Sequence, residues 1–130
     1  MSKTVVYSAS APEPIGPYSQ AIQAGNLLFL SGQIALQKET GNLLTGTITD
    51  ETNQVMKNLE EILKAAGLGF SQVVKCTIFL KDMASFPLVN QAYGKYFPAG
   101  PPARETVEVS RLPKDANVEI SCIAIAEPEL

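Results

Sequence analysis

Two charged residues near the C-terminal end of the chain have the types and the setting for chemistry. Arg104 follows a Pro-Pro-Ala lead, and Glu119 sits inside the most apolar run of the sequence, residues 118–125. A carboxylate in such a run is costly unless it is paired or put to use. An arginine offers a planar, two-pronged donor for a carboxylate, and a glutamate can hold a water or carry a proton. One reading of the pair is therefore a small anion site with a general base. The other is a structural salt bridge between Arg104 and Glu119, or a Glu119 at a solvated strand end. On these residues alone both stay open. The chain has no histidine, which removes Ser-His-Asp and Cys-His schemes and leaves no zinc ligand set, so no metal is expected. Any chemistry must run on carboxylates, Arg, Lys, Tyr, hydroxyls, backbone groups and water. Cys76 and Cys122 lie outside any CxxC pair and read as buried, reduced thiols.

The elements that must position these residues follow from periodicity. Residues 103–109 alternate as a strand, with Arg104, Thr106 and Glu108 on one side and Glu105, Val107 and Val109 on the other. Residues 112–116 read as a polar turn, and residues 118–125 as a strand apolar on nearly both faces. This predicts a C-terminal hairpin. Residues 3–7 predict a short strand, and residues 9–16, with Pro12, Pro14 and Gly16, an irregular connection. Residues 21–24 and 27–31 predict a hairpin closed by Gly25-Asn26. Gly32 just after that strand allows a bulge or a close approach of backbone to another molecule. Residues 37–47 form a polar excursion. Thr49 is a candidate N-cap, with Asp50 and Glu51 at the positive end of a helix. Its stripe of Val55, Leu59, Ile62, Leu63 and Ala66 ends at Gly67. Residues 71–81 predict a strand with Val74, Cys76, Ile78 and Leu80 on one face. Asp82 or Ser85 caps a second helix whose buried side is Phe86, Val89, Tyr93 and Phe97.

The order predicts an α+β domain over residues 1–130, one mixed sheet with two helices on one face. Two helices cover only one sheet face, yet several strands look apolar on both. The open face therefore calls for another subunit, and an obligate oligomer is expected. A net charge of −3 without a basic cluster argues against nucleic acid and anionic membranes as partners. No apolar run approaches the ~18 residues of a membrane span, and the expected address is the cytoplasm.

These residues resemble one family closely, the RidA/YjgF-type reactive intermediate (2-imino acid) deaminases. The matching segments are IGPYSQAI at 15–22, LFLSGQIAL at 28–36, NLEEILKAAG at 58–67, VVKCTIFLKDMASFPLVNQAY at 73–93 and PPARETVEVSRLPKDANVEISCIAI at 101–125. The resemblance implies a chorismate-mutase-like fold assembled as a homotrimer with clefts at subunit interfaces. It implies hydrolysis of 2-imino acids such as 2-iminobutanoate and 2-iminopropanoate to 2-oxo acids and ammonia, without a cofactor. By position it makes Arg104 the carboxylate-binding arginine and Glu119 the residue that activates water. Tyr18, Ser31, Gly32, Asn90 and Thr106 would line the substrate site. Thr106 stands where many relatives carry Cys, and imine hydrolysis with water as nucleophile does not need the thiol. Two other roles are compatible with the same chain: a non-catalytic sensor of 2-oxo acids, and a chaperone-like interaction protein.

Overall fold

The computed structural model describes residues 2–126, so both ends of the domain expected over 1–130, Met1 and residues 127–130, lie outside the described residues. Its strands are β1 (Lys3–Val6), β2 (Ala21–Ala24), β3 (Leu27–Gln33), β4 (Val73–Leu80), β5 (Ala103–Glu108) and β6 (Val118–Ile125). Its helices are α1 (Ile48–Ala65) and α2 (Phe86–Gly94). The strands form one sheet in the order β1-β2-β3-β6-β4-β5. All neighbours are antiparallel except β4 and β5, which run parallel. This is the expected mixed α+β sheet with two helices.

The predicted C-terminal hairpin does not form. β4 lies between β5 and β6, and β6 pairs with β3 on one side and β4 on the other. The residues explain the difference. β6 buries Val118, Ile120, Cys122 and Ala124, which suits the middle of the sheet. β5 has no fully buried residue and suits an edge. A parallel β4–β5 pair also needs a crossover, and α2 supplies it.

The β2–β3 hairpin forms as read, with Gly25 at φ 60° in its two-residue turn. β3 runs on to Gln33, and its pairing with β6 shifts between Leu30 and Gln33, a bulge at Gly32. A second shift, between Val73 and Lys75 of β4, turns Val74 out to solvent and Val73 inward, against the expected face. The α1 N-cap is Thr47, not Thr49. Thr47 has extended backbone, and its hydroxyl accepts from the Asp50 N–H at 3.0 Å, while Thr49 is already helical. Asp82 caps the short turn before α2, accepting from the Ala84 N–H, and Ser85 makes no capping bond.

Both helices pack on one face of the sheet. Val55, Met56, Leu59, Ile62 and Leu63 of α1 and Val89 and Tyr93 of α2 share one core with Leu28, Leu30, Cys76, Ile78, Leu80 and the inward residues of β6. The opposite face has no helix, and Val5 (60% exposed), Phe29 (42%) and Val107 (42%) stand on it.

Three buried polar side chains tie the irregular segments to this frame. The Gln20 carboxamide accepts from the Ser8 N–H and donates to the Ser8 and Pro12 carbonyls. Asn58 on α1 donates to the carbonyls of Ile34 and Leu36. Glu51, 3% exposed, accepts from the Asn117 backbone N–H at 2.8 Å and its side-chain amide at 2.9 Å, which fixes the start of β6 against α1. Glu51→Ala removes both bonds to a charged acceptor. It is expected to lower the unfolding free energy by about 2–3 kcal/mol, read as a lower urea midpoint at fixed protein concentration with an unchanged m value.

Candidate functional site

The predicted site residues fall into two groups, on opposite faces of the sheet. Side chains directly opposed across a sheet share a face. Arg104 is opposed to Cys76 and Cys76 to Cys122, both buried under the helices. Glu119 is opposed to Phe79, and Phe79 to Val107, on the face without helices. Within one chain Arg104 and Glu119 therefore do not meet. The salt bridge that the sequence left open is absent among the described ion pairs.

The Glu119 group gathers where the β3 bulge meets the segment before β2. A narrow cavity of about 40 Å³ is lined by Tyr18, Gln20, Gly32, Gln33, Pro113 and Glu119, among others, which is room for a water molecule or two. Gly32 is required here for space rather than for backbone angle. A Cβ at this position would stand 2.9 Å from the Glu119 carboxyl carbon and Oε2. Tyr18 folds back over its own turn, its hydroxyl accepting from the Ile15 N–H at 3.2 Å. Ser31 holds the loop in place: its hydroxyl donates to the Ser19 carbonyl at 2.6 Å and its N–H to the Gln20 carbonyl at 2.9 Å. The Ser31 proton is thus already committed, and only its oxygen lone pairs face further partners. Burial pushes the Glu119 carboxyl above the usual carboxylate range, which makes it a stronger base than a solvated carboxylate.

The Arg104 group lies at the β5 edge, against α2. The guanidinium carbon sits 5.2 Å from the centre of the Tyr93 ring and 5.6 Å from that of Phe86. Asn90, half-buried, is four residues after Phe86 and three before Tyr93, on the same side of α2. Thr106 shares the Arg104 side of β5. Its Oγ1 and the Tyr93 hydroxyl are buried without a hydrogen-bond partner among the described residues. Arg104 makes no ion pair with the described residues, so its planar donor is left for an external anion. Cys76 and Cys122 face each other beneath this group, buried and unbridged. The neighbouring Cys122 thiol draws the Cys76 thiol below its ordinary value.

Sequence reading placed Phe86 and Tyr93 only on the buried side of a helix, and their stacking on Arg104 escaped it. Helical spacing marks an inward residue but says nothing of what it meets. Gln20 and Pro113 also escaped. Nothing in their local pattern separates them from ordinary loop residues.

The profile of the family described as Endoribonuclease L-PSP matches residues 8–126. Among curated relatives, Reactive Intermediate Deaminase A, chloroplastic, of Arabidopsis thaliana is 53% identical over 124 residues, covering 95% of this chain and 66% of that one. The 2-iminobutanoate/2-iminopropanoate deaminase of Dermatophagoides farinae is 43% identical over 125 residues, covering 96% and 98%. Among solved structures, E. coli TdcF with bound serine superposes with a TM-score of 0.91 at 35% identity, covering 95% of this chain and 99% of that chain.

The raised Glu119 pKa has a consequence for stability. The folded state holds this proton more tightly than the unfolded chain does. The group therefore weakens the fold as pH rises from the ordinary carboxylate range through the raised value, and the whole penalty is present above it. Glu119→Gln should melt at a higher temperature than wild type near pH 7, and the two midpoints should converge below about pH 4. Equal midpoints at neutral pH would contradict the burial argument.

Proposed function

The chain belongs to the family described as Endoribonuclease L-PSP, the YjgF/RidA family, and from that premise we propose that it is a hydrolytic deaminase of small 2-imino acids. The observation that carries this reading is Glu119, a half-buried carboxylate without an ion-pair partner among the described residues of its own chain, beside a water-sized cavity. The Arg104 group supplies the complementary half, an anion hook without an internal partner. The names of the Arabidopsis and mite relatives support the reaction class. The serine bound to TdcF supports a small, carboxylate-bearing substrate.

Because the two groups face away from each other in one chain, the site is completed between copies. Arg104, Thr106 and Asn90 of one copy face Glu119, Gly32 and Tyr18 of the next, in a homotrimer that buries the sheet face without helices. Arg104 takes the substrate carboxylate through paired N–H donors, each worth about 1.5–3 kcal/mol, and so fixes the imine carbon in place. Glu119 holds a water against that carbon and accepts its proton as the C–O bond forms. The tetrahedral carbinolamine then takes that proton on nitrogen, and as the C–N bond breaks its hydroxyl proton passes back to Glu119, leaving a 2-oxo acid and ammonia. Water is the only co-reactant. RNA cleavage, which the family description suggests, fits less well. A net charge of −3 and a single stacked arginine give a phosphate backbone little to hold.

The test couples a threonine dehydratase to this protein and follows decay of the imine by trapping with semicarbazide. Arg104→Ala is expected to lower kcat/KM by about 10²-fold or more, and Glu119→Gln to lower kcat by about 10²–10⁴-fold while a bound 2-oxo acid is retained. Gly32→Ala, which pushes the Glu119 carboxyl aside, should fold and lose rate. Arg104→Ala and Glu119→Gln chains, unfolded together and refolded in equal amounts, are expected to recover about one quarter of the sites by random assortment. No recovery would place both groups of a site in one chain. No acceleration by the wild type would leave a 2-oxo acid sensor, provided that anion binding remains.

A further inference from the structure

We infer that Tyr93 is the positioning residue of the anion pocket, acting through Arg104 rather than on the substrate; this rests on the deaminase reading above. An arginine side chain carries about 2 kcal/mol of rotamer entropy, which an anion must overcome unless something already orders the guanidinium. A carboxylate partner would do so. Arg104 has none within its own chain among the described ion pairs, and a carboxylate paired directly to it would compete with the substrate. Aromatic rings order a cation without neutralising it. The Tyr93 ring centre, 5.2 Å from the guanidinium carbon, is the nearer of the two rings.

Tyr93 is itself held on several sides. It is 5% exposed and packs on Phe97 at 4.9 Å between ring centres. Phe97 packs in turn on Phe70 at 5.4 Å, and Phe70 on Tyr96 at 5.2 Å. Phe86, by contrast, is half-buried at the rim. The guanidinium therefore rests on a fixed floor made by Tyr93 and a softer wall made by Phe86. Burial pushes the Tyr93 phenol far above its ordinary value, so it stays neutral across the working pH range and leaves the arginine's charge for the substrate.

The experiment measures KM and kcat for the imine, and calorimetric binding of 2-oxobutanoate, in Tyr93→Leu, Tyr93→Phe, Arg104→Ala and the Tyr93→Leu/Arg104→Ala double variant. Tyr93→Leu should raise KM and the dissociation constant about 3–10-fold with kcat held within about two-fold. Tyr93→Phe, which keeps the ring, should restore both to near wild type. In the Arg104→Ala background Tyr93→Leu should change kcat/KM no further, because its effect passes through the missing arginine. A merely structural tyrosine would lower the melting temperature without moving KM, or would act equally in both backgrounds; either result overturns the inference. Should Tyr93→Leu not fold, Tyr93→Met, whose flexible side chain fills the same space, decides by the same readouts. A wild type that neither hydrolyses imine nor binds 2-oxobutanoate would sink the deaminase reading instead, and with it the pocket's role.

Discussion

Helices cover only one face of this sheet, and the rest of the molecule depends on that asymmetry. Each strand has to commit alternate residues to a sealed face and an open one. On β6 the sealed set is Val118, Ile120, Cys122 and Ala124, and the open set includes Glu119. On β5 Arg104 and Thr106 fall on the helix side. The rule that builds the core thus separates Glu119 from Arg104. No local adjustment can reunite them, because moving either residue by one position would reverse every side chain on its strand. Chemistry that needs both is out of reach within one copy, and Val5, Phe29 and Val107 stand exposed on the open face.

The Glu119 and Arg104 groups are prepared by different physics. Around Glu119 the means is exclusion. A bulge and a missing Cβ at Gly32 leave room for the carboxyl, while Gln20 and Ser31 hold the proline-rich loop over it. The result is a carboxylate with reduced solvation, held above its ordinary pKa. Around Arg104 the means is stacking, which orders a cation and leaves its donors free. The half-buried carboxylate of Glu119 costs the fold stability; Glu51, bonded twice to Asn117, offsets part of that cost at the start of the same strand.

Much of this could be read from residue order. The α1 stripe, the Gly25-Asn26 turn, the apolar character of β6 and the isolation of Glu119 within it all follow from spacing and polarity. Which strands pair does not. Residues 103–109 and 118–125 are near neighbours in sequence joined by a turn-like segment, and only the relative burial of the two strands decides that β4 comes between them. Val74 was assigned to the wrong face because a one-residue bulge leaves no mark in hydropathy. Thr47 and Thr49 are equally good caps by composition, and the backbone chooses between them. Arg104 and Glu119 stand out by residue type and setting, but residue type cannot say whether two groups share a face.

The position of β6 has a consequence for how the chain acquires its shape. It is the last strand of the described chain, yet it lies between β3 and β4, which have no other way of joining. Until it arrives, the sheet exists as two fragments, β1-β2-β3 and β4-β5, each with an unpaired inner edge. Closure links residues about ninety apart in sequence, the kind of distant pairing that slows folding. During synthesis, a chain lacking its final stretch would present two sticky margins and a half-covered interior. It would then depend on the ribosome's pace, or on a holding factor, to reach β6 before another chain found those edges.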